Sequence, residues 1–362
     1  MTRMTRMVSG AWQGANDALP PPPAGWFMPA EWSTHDRCWM SYPHRQDEWG
    51  DNLPAVRAAI TQLALAIRQF EPVSMVVSPL DVATARQQLG PTIDLVPLAV
   101  DDLWMRDIGP TFLVKPGSGV SAAQWRFNVW GEKFAGYDAD RDLAERLLIA
   151  GKINAYPAPI TTEGGALHVD GAGTLMVTET SVLNENRNPG LDKREAEMIF
   201  RHWLGVDHVI WLPGSTVETI TDGHIDGFAC FTATGKVLAE LPASDDAEDA
   251  REMQENLRAL RLARDVYGRE LEIGLMRRPA EVASDTGTFC DCYVNFYIAN
   301  GGIVMPRFGD DSADQAAAEM VARAFPDRQV SQVNIAAIAE GGGGIHCSTQ
   351  QQPAPLSAFQ EE

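Results

Sequence analysis

The sequence is short of positive charge and has no long apolar segment. Its 362 residues include 29 Lys and Arg against 49 Asp and Glu, which gives a formal net charge of −20. Such a chain is repelled by nucleic acid and by anionic membranes, so we expect neither as a partner. No apolar run approaches the roughly 18 residues that a membrane helix needs. The hydrophobic content of 45% nevertheless predicts a large buried core.

Cysteine is scarce and odd in number. Five cysteines, with a basic start that lacks the apolar segment of a secretory signal, predict a reduced, cytoplasmic protein. Cys290 and Cys292 form one closely spaced pair, but the sequence has no second pair to complete a tetrahedral zinc site. We therefore interpret both, together with Cys38 and Cys230, as buried structural thiols, and we predict no metal site.

From about residue 28 the chain alternates helical and strand patterns. Apolar residues at helical spacing predict three amphipathic helices. They are Val56, Ile60, Leu63 and Ile67; Ala196, Ile199, Phe200, Trp203 and Leu204; and Ala317, Met320, Val321 and Ala324. Residues 73–77 and 208–212 are predicted as strands, and residues 245–263 as a charged, solvent-facing helix. No linker divides the central sequence, so we predict a single α/β domain at 26–355 between a flexible N-terminal tail (1–25) and a C-terminal tail (356–362).

The most informative segment lies near the C-terminus, where four glycines at 341–344 precede a lone cysteine, Cys347. Consecutive glycines cost backbone entropy, so a run of four beside a cysteine requires a reason. A flexible loop is one alternative. Polar residues that can form hydrogen bonds follow directly at 348–350, however, and they favour a reactive cysteine in a tight backbone loop.

Three loops upstream combine an acid with glycine and lead into apolar stretches. Their acids are Asp107, Glu163 and Asp226, and the third loop also carries His224. We take these three acids and Cys347 as four marker residues. The intervals between successive markers are 56, 63 and 121 residues, the last being about twice 60. A further unit is then expected near residues 285–291, ahead of a strand-like segment at 293–298. The spacing predicts a ring of about five units whose loops bring the four markers together.

With these motifs assembled, the chain resembles the agmatine deiminases, which belong to the guanidine-modifying enzymes of the α/β-propeller, or pentein, fold. The matching segments are residues 28–32, 104–107, 127–131, 163–165, 184–189, 221–224, 293–297 and 341–353. From the first to the last, they occur in order over a span of some nine-tenths of the chain. The resemblance implies an α/β fold of five pseudosymmetric ββαβ-type blades in one domain.

The resemblance also implies a role for each marker residue. Cys347 would be the nucleophile, and His224 the general acid and base. Asp107 and Asp226 would bind the guanidinium, while Glu163 would support the substrate nitrogens and His224. The chemistry needs these groups, because a thiolate can attack the poorly electrophilic guanidinium carbon, two carboxylates orient the cation, and an imidazolium protonates the departing ammonia. It needs no metal or organic cofactor, and we predict none.

Other residues of the motifs have supporting roles. The resemblance implies that Trp104 and Gly344 line the substrate pocket. His168 and His346 flank site residues, but neighbours in a strand point to opposite faces, so we interpret both as supporting or core residues. Asp222, two residues before His224, is either a turn acid or a residue that orients the histidine, and we favour the turn acid. The family further implies a small cationic guanidine as substrate, a homodimer, and a place in putrescine synthesis.

The leading functional hypothesis is hydrolysis of agmatine to N-carbamoylputrescine and ammonia through a covalent thiouronium on Cys347. Deimination of an arginine derivative or of peptidyl-arginine is an alternative. Amidino transfer, in which an amine rather than water resolves the intermediate, is another. A non-enzymatic polyamine-binding protein is disfavoured because every expected catalytic residue is present.

The sequence departs from the family pattern at two positions. Agmatine deiminases commonly carry Glu immediately before Thr-Asp-Gly-His, where this chain has Ile220, and Asn where it has Gly227. An acid at the first position would suit the distal ammonium of agmatine, whereas isoleucine cannot pair with a cation. Either Glu218 or another acid takes over this role, or the site accepts a less charged or longer substrate.

Overall fold

The computed structural model of the chain describes residues 20–358 except 246, 281, 283 and 285–287. Within that part of the chain, sixteen strands form five small sheets. The strands are β1 (His35–Ser41), β2 (Val73–Val77), β3 (Asp94–Pro97), β4 (Thr111–Lys115), β5 (Gly119–Arg126), β6 (Asn154–Thr161), β7 (His168–Val169), β8 (Thr174–Thr178), β9 (His208–Leu212), β10 (Ala229–Ala233), β11 (Lys236–Leu241), β12 (Glu272–Arg277), β13 (Tyr297–Ala299), β14 (Gly302–Arg307), β15 (Gln329–Asn334) and β16 (Thr349–Pro353).

Each sheet repeats one arrangement. Four sheets have the orders β4-β5-β6, β7-β8-β9, β10-β11-β12 and β13-β14-β15. In each of them the first strand pair is antiparallel and the second is parallel. The fifth sheet has the order β16-β1-β2-β3, in which β16 pairs antiparallel with β1 and β1 pairs parallel with β2. The last strand of the chain thus completes the sheet that the first one begins, and the predicted five-bladed α/β-propeller is confirmed.

Helices connect the parallel strands, as parallel pairing requires. The helices are α1 (Gln46–Trp49), α2 (Leu53–Ile67), α3 (Val82–Leu89), α4 (Met105–Ile108), α5 (Val129–Glu132), α6 (Asp138–Arg141), α7 (Leu143–Gly151), α8 (Glu179–Val182), α9 (Lys193–Leu204), α10 (Ala250–Leu262), α11 (Asp311–Ala324) and α12 (Ala336–Ala339), with 3₁₀ turns at Gly50–Asn52, Gly164–Ala166 and Ile225–Gly227. The long helices α2, α7, α9, α10 and α11 each belong to one of the five units.

The three predicted amphipathic helices correspond to α2, α9 and α11, and the two predicted strands correspond to β2 and β9. Local chemistry fixes the ends of α9. The side chain of Asp192 accepts a hydrogen bond from the backbone N–H of Glu195 at its start, and Gly205 ends it with a φ of +65°. None of the helices in the described ranges is long and apolar enough to cross a membrane.

Two predicted elements differ from the structure. The predicted charged helix at 245–263 is shorter, and it is not wholly solvent-facing. Met253, Leu257 and Leu260 on α10 are buried in an apolar cluster. Glu252 is buried as well and accepts hydrogen bonds from Ser215 and Thr216. The strand expected at 293–298 begins only at Tyr297, because the residues before it form the loop that enters the site. Of the predicted tail at residues 1–25, residues 1–19 lie outside the described part of the chain.

The repeat places one loop directly before the first strand of each unit. Asp107 precedes β4, Glu163 precedes β7, and Asp226 precedes β10. Asn295 precedes β13, and Cys347 precedes β16. The five loops therefore occupy equivalent positions in the five units, and their side chains meet.

Candidate active site

The thiol of Cys347 lies against two neighbouring loops. Its Sγ is 3.5 Å from Oδ2 of Asp226 and 3.2 Å from Nδ2 of Asn295. Oδ1 of Asn295 also accepts hydrogen bonds from the backbone N–H groups of His346 and Cys347, at 2.9 and 3.3 Å. The sequence motifs did not identify Asn295 as a site residue. It lies 69 residues after Asp226 and 52 before Cys347, so the repeat spacing was the signal that could have found it.

Asp107 is held by two donors. Its Oδ1 accepts the backbone N–H of Gly165 at 2.9 Å, and its Oδ2 accepts the indole N–H of Trp130 at 2.8 Å. The same Oδ2 lies 3.8 Å from Nδ1 of His224. Burial raises the pKa of Asp107; the nearby His224 lowers it but does not outweigh the burial. This carboxylate is therefore fixed in one orientation beside the imidazole.

His224 is anchored by a chain of charged groups. Its Nε2 lies 3.1 Å from Oε2 of Glu163, and Nε of Arg187 donates to both oxygens of Glu163 at 2.9 Å. Arg187 in turn pairs with Asp222 at 2.5 Å, and Asp222 pairs with Lys133 at 2.7 Å. Asp222 occupies a turn at a φ of +63°, but it does more than the predicted turn acid, because it holds the arginine behind Glu163.

The titrations of His224 and Cys347 follow from these neighbours. Burial by itself would lower the pKa of His224, but Asp107, Glu163 and Asp226 together raise it to about 9. Burial, Asp226 and Asp107 raise the pKa of the Cys347 thiol well above its ordinary value. Both shifts favour an imidazolium at His224 and a protonated thiol at Cys347 at neutral pH.

Glycine is required where the backbone approaches the reactive groups. A Cβ on Gly165 would lie 2.6 Å from Nδ1 of His224 and 2.9 Å from Oδ1 of Asp107. A Cβ on Gly344 would lie 2.4 Å from the side-chain oxygen of Asn295, and one on Gly343 would lie 2.3 Å from the ring of Trp104. The glycine run therefore lets the backbone of the cysteine loop pack against Trp104 and Asn295.

Cys347 lies where two cavities meet. The first, of about 290 Å³, is walled by aromatic side chains and has several carboxylates. Its aromatic residues are Trp49, Trp104, Trp130, Phe134 and Tyr137, and its carboxylates are Glu48, Asp102, Asp107 and Glu340. The second cavity, of about 310 Å³, reaches Cys347 from the side of His224, Asp226 and Asn295. Ile220 and Gly342 contribute to the walls of both cavities and stand between them.

Glu218 does not face the first cavity as a replacement for the missing acid at position 220. Its Oε1 accepts the backbone N–H of Ile220 at 2.6 Å, and its Oε2 accepts that of Gly223 at 2.8 Å. Both oxygens also bond to Thr221. Glu218 thus shapes the loop before His224, and a substrate ammonium would need other acids.

One group of side chains has the composition of a metal site. Glu31, His168 and His346 offer ligand atoms within 4.8 Å of one another. Both ring nitrogens of His346 already lie 2.8 Å from carboxylate oxygens, and the guanidinium of Arg106 is 3.4 Å from Glu31. A cation there would displace these bonds and face the arginine. The residues fit a hydrogen-bonded ion network better than a metal centre.

Comparison with known proteins gives consistent matches over nearly the whole chain. The model of the family described as Porphyromonas-type peptidyl-arginine deiminase matches residues 27–353. The agmatine deiminase of Stutzerimonas stutzeri (strain A1501) is 40% identical over 358 residues, which cover 92% of this chain and 96% of that protein. The agmatine deiminase of Pseudomonas aeruginosa (strain UCBPP-PA14) is 38% identical over 371 aligned positions, which cover 95% of this chain and 100% of that protein. A solved structure of the agmatine deiminase of Enterococcus faecalis aligns with a TM-score of 0.88 at 32% identity, covering 92% of this chain and 97% of that one.

Proposed function

The chain belongs to the Porphyromonas-type peptidyl-arginine deiminase family, and from that premise we propose that it hydrolyses agmatine to N-carbamoylputrescine and ammonia. It would thus be a hydrolase acting on the C–N bond of a linear amidine. One observation carries the proposal. Cys347 lines both the carboxylate-bearing cavity and the second cavity, in which His224 is bound to Glu163.

In the proposed mechanism, the guanidinium lies across Cys347 with Asp107 and Asp226 accepting hydrogen bonds from its nitrogens. Charge-assisted bonds to two carboxylates hold the planar cation with its carbon facing the sulfur. The bound cation also offsets the charge of those carboxylates. The thiol therefore loses its proton to solvent when substrate binds, and the thiolate is available for attack.

Attack forms a bond between Sγ and the guanidinium carbon. The tetrahedral intermediate collapses as His224 donates its proton to one nitrogen, which leaves as ammonia while the C–N bond breaks. Glu163, bonded to His224 and Arg187, keeps the imidazole oriented for this transfer. The product of this half-reaction is a thiouronium on Cys347.

Water completes the reaction. His224, now neutral, takes a proton from a water molecule that attacks the thiouronium carbon. The C–S bond then breaks, the departing thiolate takes up the proton that the new C–OH group loses, and the carbon is released as a substituted urea. No step calls for a metal or an organic cofactor, and we expect EDTA to leave the rate unchanged.

The substrate tail would occupy the first cavity. Its volume of about 290 Å³ lies at the lower end of the range for small-ligand pockets, which favours a free guanidine over an arginine within a peptide. The aromatic walls suit a chain that ends in an ammonium, since aromatic rings attract cations. We propose that Asp102, Glu48 or Glu340 receives that ammonium in place of an acid at position 220.

We further propose that residues 26–355 form the catalytic unit between the two tails, and that the protein acts as a cytoplasmic homodimer. All five cysteines are free thiols, which accords with a reducing compartment. Light scattering on the purified protein tests the dimer: a mass near twice 39.5 kDa is expected, and the monomer mass would contradict it.

A substrate panel tests the proposed function. Purified protein is incubated with agmatine, free arginine, guanidinobutyrate and an arginine peptide, and ammonia is measured. We expect agmatine to give the highest kcat/KM and mass spectrometry to show N-carbamoylputrescine. Ammonia from none of the four would overturn the proposal. A new guanidine formed only when an acceptor amine is added would identify amidino transfer instead.

A further inference from the structure

His346, the residue beside the nucleophile, is bound at both ends by carboxylates. Its Nδ1 lies 2.8 Å from Oδ2 of Asp226, and its Nε2 lies 2.8 Å from Oε1 of Glu31. All three residues are at most 4% exposed. Carboxylates that lack protons can only accept hydrogen bonds, so both ring nitrogens must donate. Two donors on one imidazole require the protonated, positively charged ring.

The other ionisable groups around His346 come from separate units of the ring. Arg106 on α4 lies 3.4 Å from Glu31 and donates to the backbone carbonyl of His346 at 3.3 Å. His168 on β7 stacks on His346 at 6.1 Å between ring centroids, and its Nε2 is 3.7 Å from Glu31. Burial lowers the pKa of His168 to about 4, so its ring is neutral. The buried network thus contains two acids and two cations.

The titration directions agree with this assignment. Burial and Arg106 would lower the pKa of His346, but Glu31 and Asp226 outweigh them and raise it. Burial would raise the pKa of Asp226, and His346 is the main group that lowers it. The charge on His346 and the charge on Asp226 therefore stabilise each other.

We propose that His346 is a positioning residue, a permanently charged imidazolium that couples Glu31, next to the first strand of the ring, to the substrate-binding carboxylate of Asp226. The inference rests on the proposed function for the role of Asp226. Because one oxygen of Asp226 is bound to His346 and lies 3.5 Å from the thiol, the imidazolium sets both the ionisation and the orientation of this carboxylate. Glu31 has no part in the chemistry itself and acts through His346.

The test replaces one of the two carboxylates that keep His346 charged. Glu31→Gln keeps a hydrogen-bond acceptor but removes the charge, and Glu31→Asp keeps the charge. Glu71→Gln is the matched control, because Glu71 is also buried and lies 3.2 Å from a histidine, His35, in another part of the fold. For each variant kcat/KM for agmatine is measured as a function of pH.

In Glu31→Gln we expect the ratio of variant to wild-type kcat/KM to fall about tenfold or more between about pH 6 and about pH 8, as His346 loses its proton and releases Asp226. KM should carry more of the loss than kcat. Glu31→Asp should restore most of the wild-type profile, and Glu71→Gln should leave it unshifted. A ratio that is independent of pH in Glu31→Gln, or a shift of equal size in Glu71→Gln, would overturn the inference.

A measurement on the wild-type protein separates this inference from the proposed function. NMR of protein labelled with ¹⁵N-histidine, without substrate, reports the protonation of both nitrogens of each imidazole, with His346→Asn used for assignment. We expect His346 to carry protons on both nitrogens at about pH 7. A neutral His346 at that pH would overturn the inference even if agmatine is hydrolysed. An inactive protein with a charged His346 would overturn the proposed function alone.

Discussion

Gly165 is the position where one added methyl group tests the geometry of the site most severely. Its backbone N–H donates to Asp107, and the space where a Cβ would stand is bounded by three reactive groups. A Cβ there would lie 2.6 Å from Nδ1 of His224, 2.9 Å from Oδ1 of Asp107 and 3.0 Å from Oδ2 of Asp226. The φ of Gly165 is not positive, so the backbone itself accepts alanine.

The size of the effect follows from the displacement that alanine would force. Ordinary van der Waals contact begins at 3.4 Å, so His224 would have to retreat by about 0.8 Å. A misplacement of this order in a catalytic group lowers the rate by about 100-fold, which corresponds to about 2.7 kcal/mol in the activation free energy. The cost to folding is of similar size, about 1–3 kcal/mol, as for other overpacked sites.

The assay is ammonia release from agmatine by Gly165→Ala, with thermal unfolding measured on the same sample. Gly227→Ala is the matched control, because its φ is also not positive and a Cβ there meets nothing within 4 Å. We expect the control to keep at least about half of the wild-type activity. If Gly165→Ala is folded and retains more than about a third of wild-type activity, the reasoning about how tightly the site is packed is refuted.

Three further predictions concern the supporting charges. Arg187→Met, which removes the partner of buried Glu163, should lower the free energy of unfolding in urea by about 3–5 kcal/mol. Lys193→Ala, which removes an exposed ion pair, should lower it by less than about 1 kcal/mol; equal losses would contradict this. The proton on His224 is needed for ammonia to leave, and its pKa is raised to about 9. At saturating agmatine the thiol has already lost its proton, so kcat should fall as pH rises through about 9; a kcat that stays constant through about pH 10 would contradict the assignment. The stability that this raised pKa confers should be full below about pH 6.5 and be lost as pH rises through about 9. If agmatine is already preferred over every arginine derivative by about 100-fold, or about 2.7 kcal/mol, Ile220→Glu should gain little; a large gain would show that the ammonium lacks an acid partner.

Much of the fold could be predicted because the signals are local. The apolar spacing of α2, α9 and α11 and the apolar runs of β2 and β9 depend on neighbouring residues alone. The repeat could be detected because three units place an acid beside glycine before a strand. The spacing also predicted the unit that carries Asn295, but it did not identify Asn295 as a site residue, since that loop lies in an apolar segment and has no acid at that position.

The supporting contacts could not be predicted in the same way. Arg187 reaches Glu163 from 24 residues away, and Glu31 reaches His346 from 315 residues away. Such partners are set by how the blades close into a ring, and no local pattern encodes them. The sequence could suggest Glu218 as a replacement for the missing acid, but only the structure shows that both its oxygens bond to its own loop.

Trapping the covalent intermediate tests the central claim most directly. Wild-type protein is mixed with agmatine, quenched in acid within the turnover time, digested and analysed by mass spectrometry, with Cys347→Ser as the control. We predict that the peptide containing Cys347 carries the mass of agmatine less one molecule of ammonia, and that the serine variant carries no adduct and releases no ammonia. An active serine variant, or an adduct on Cys290 or Cys292 instead, would contradict the account.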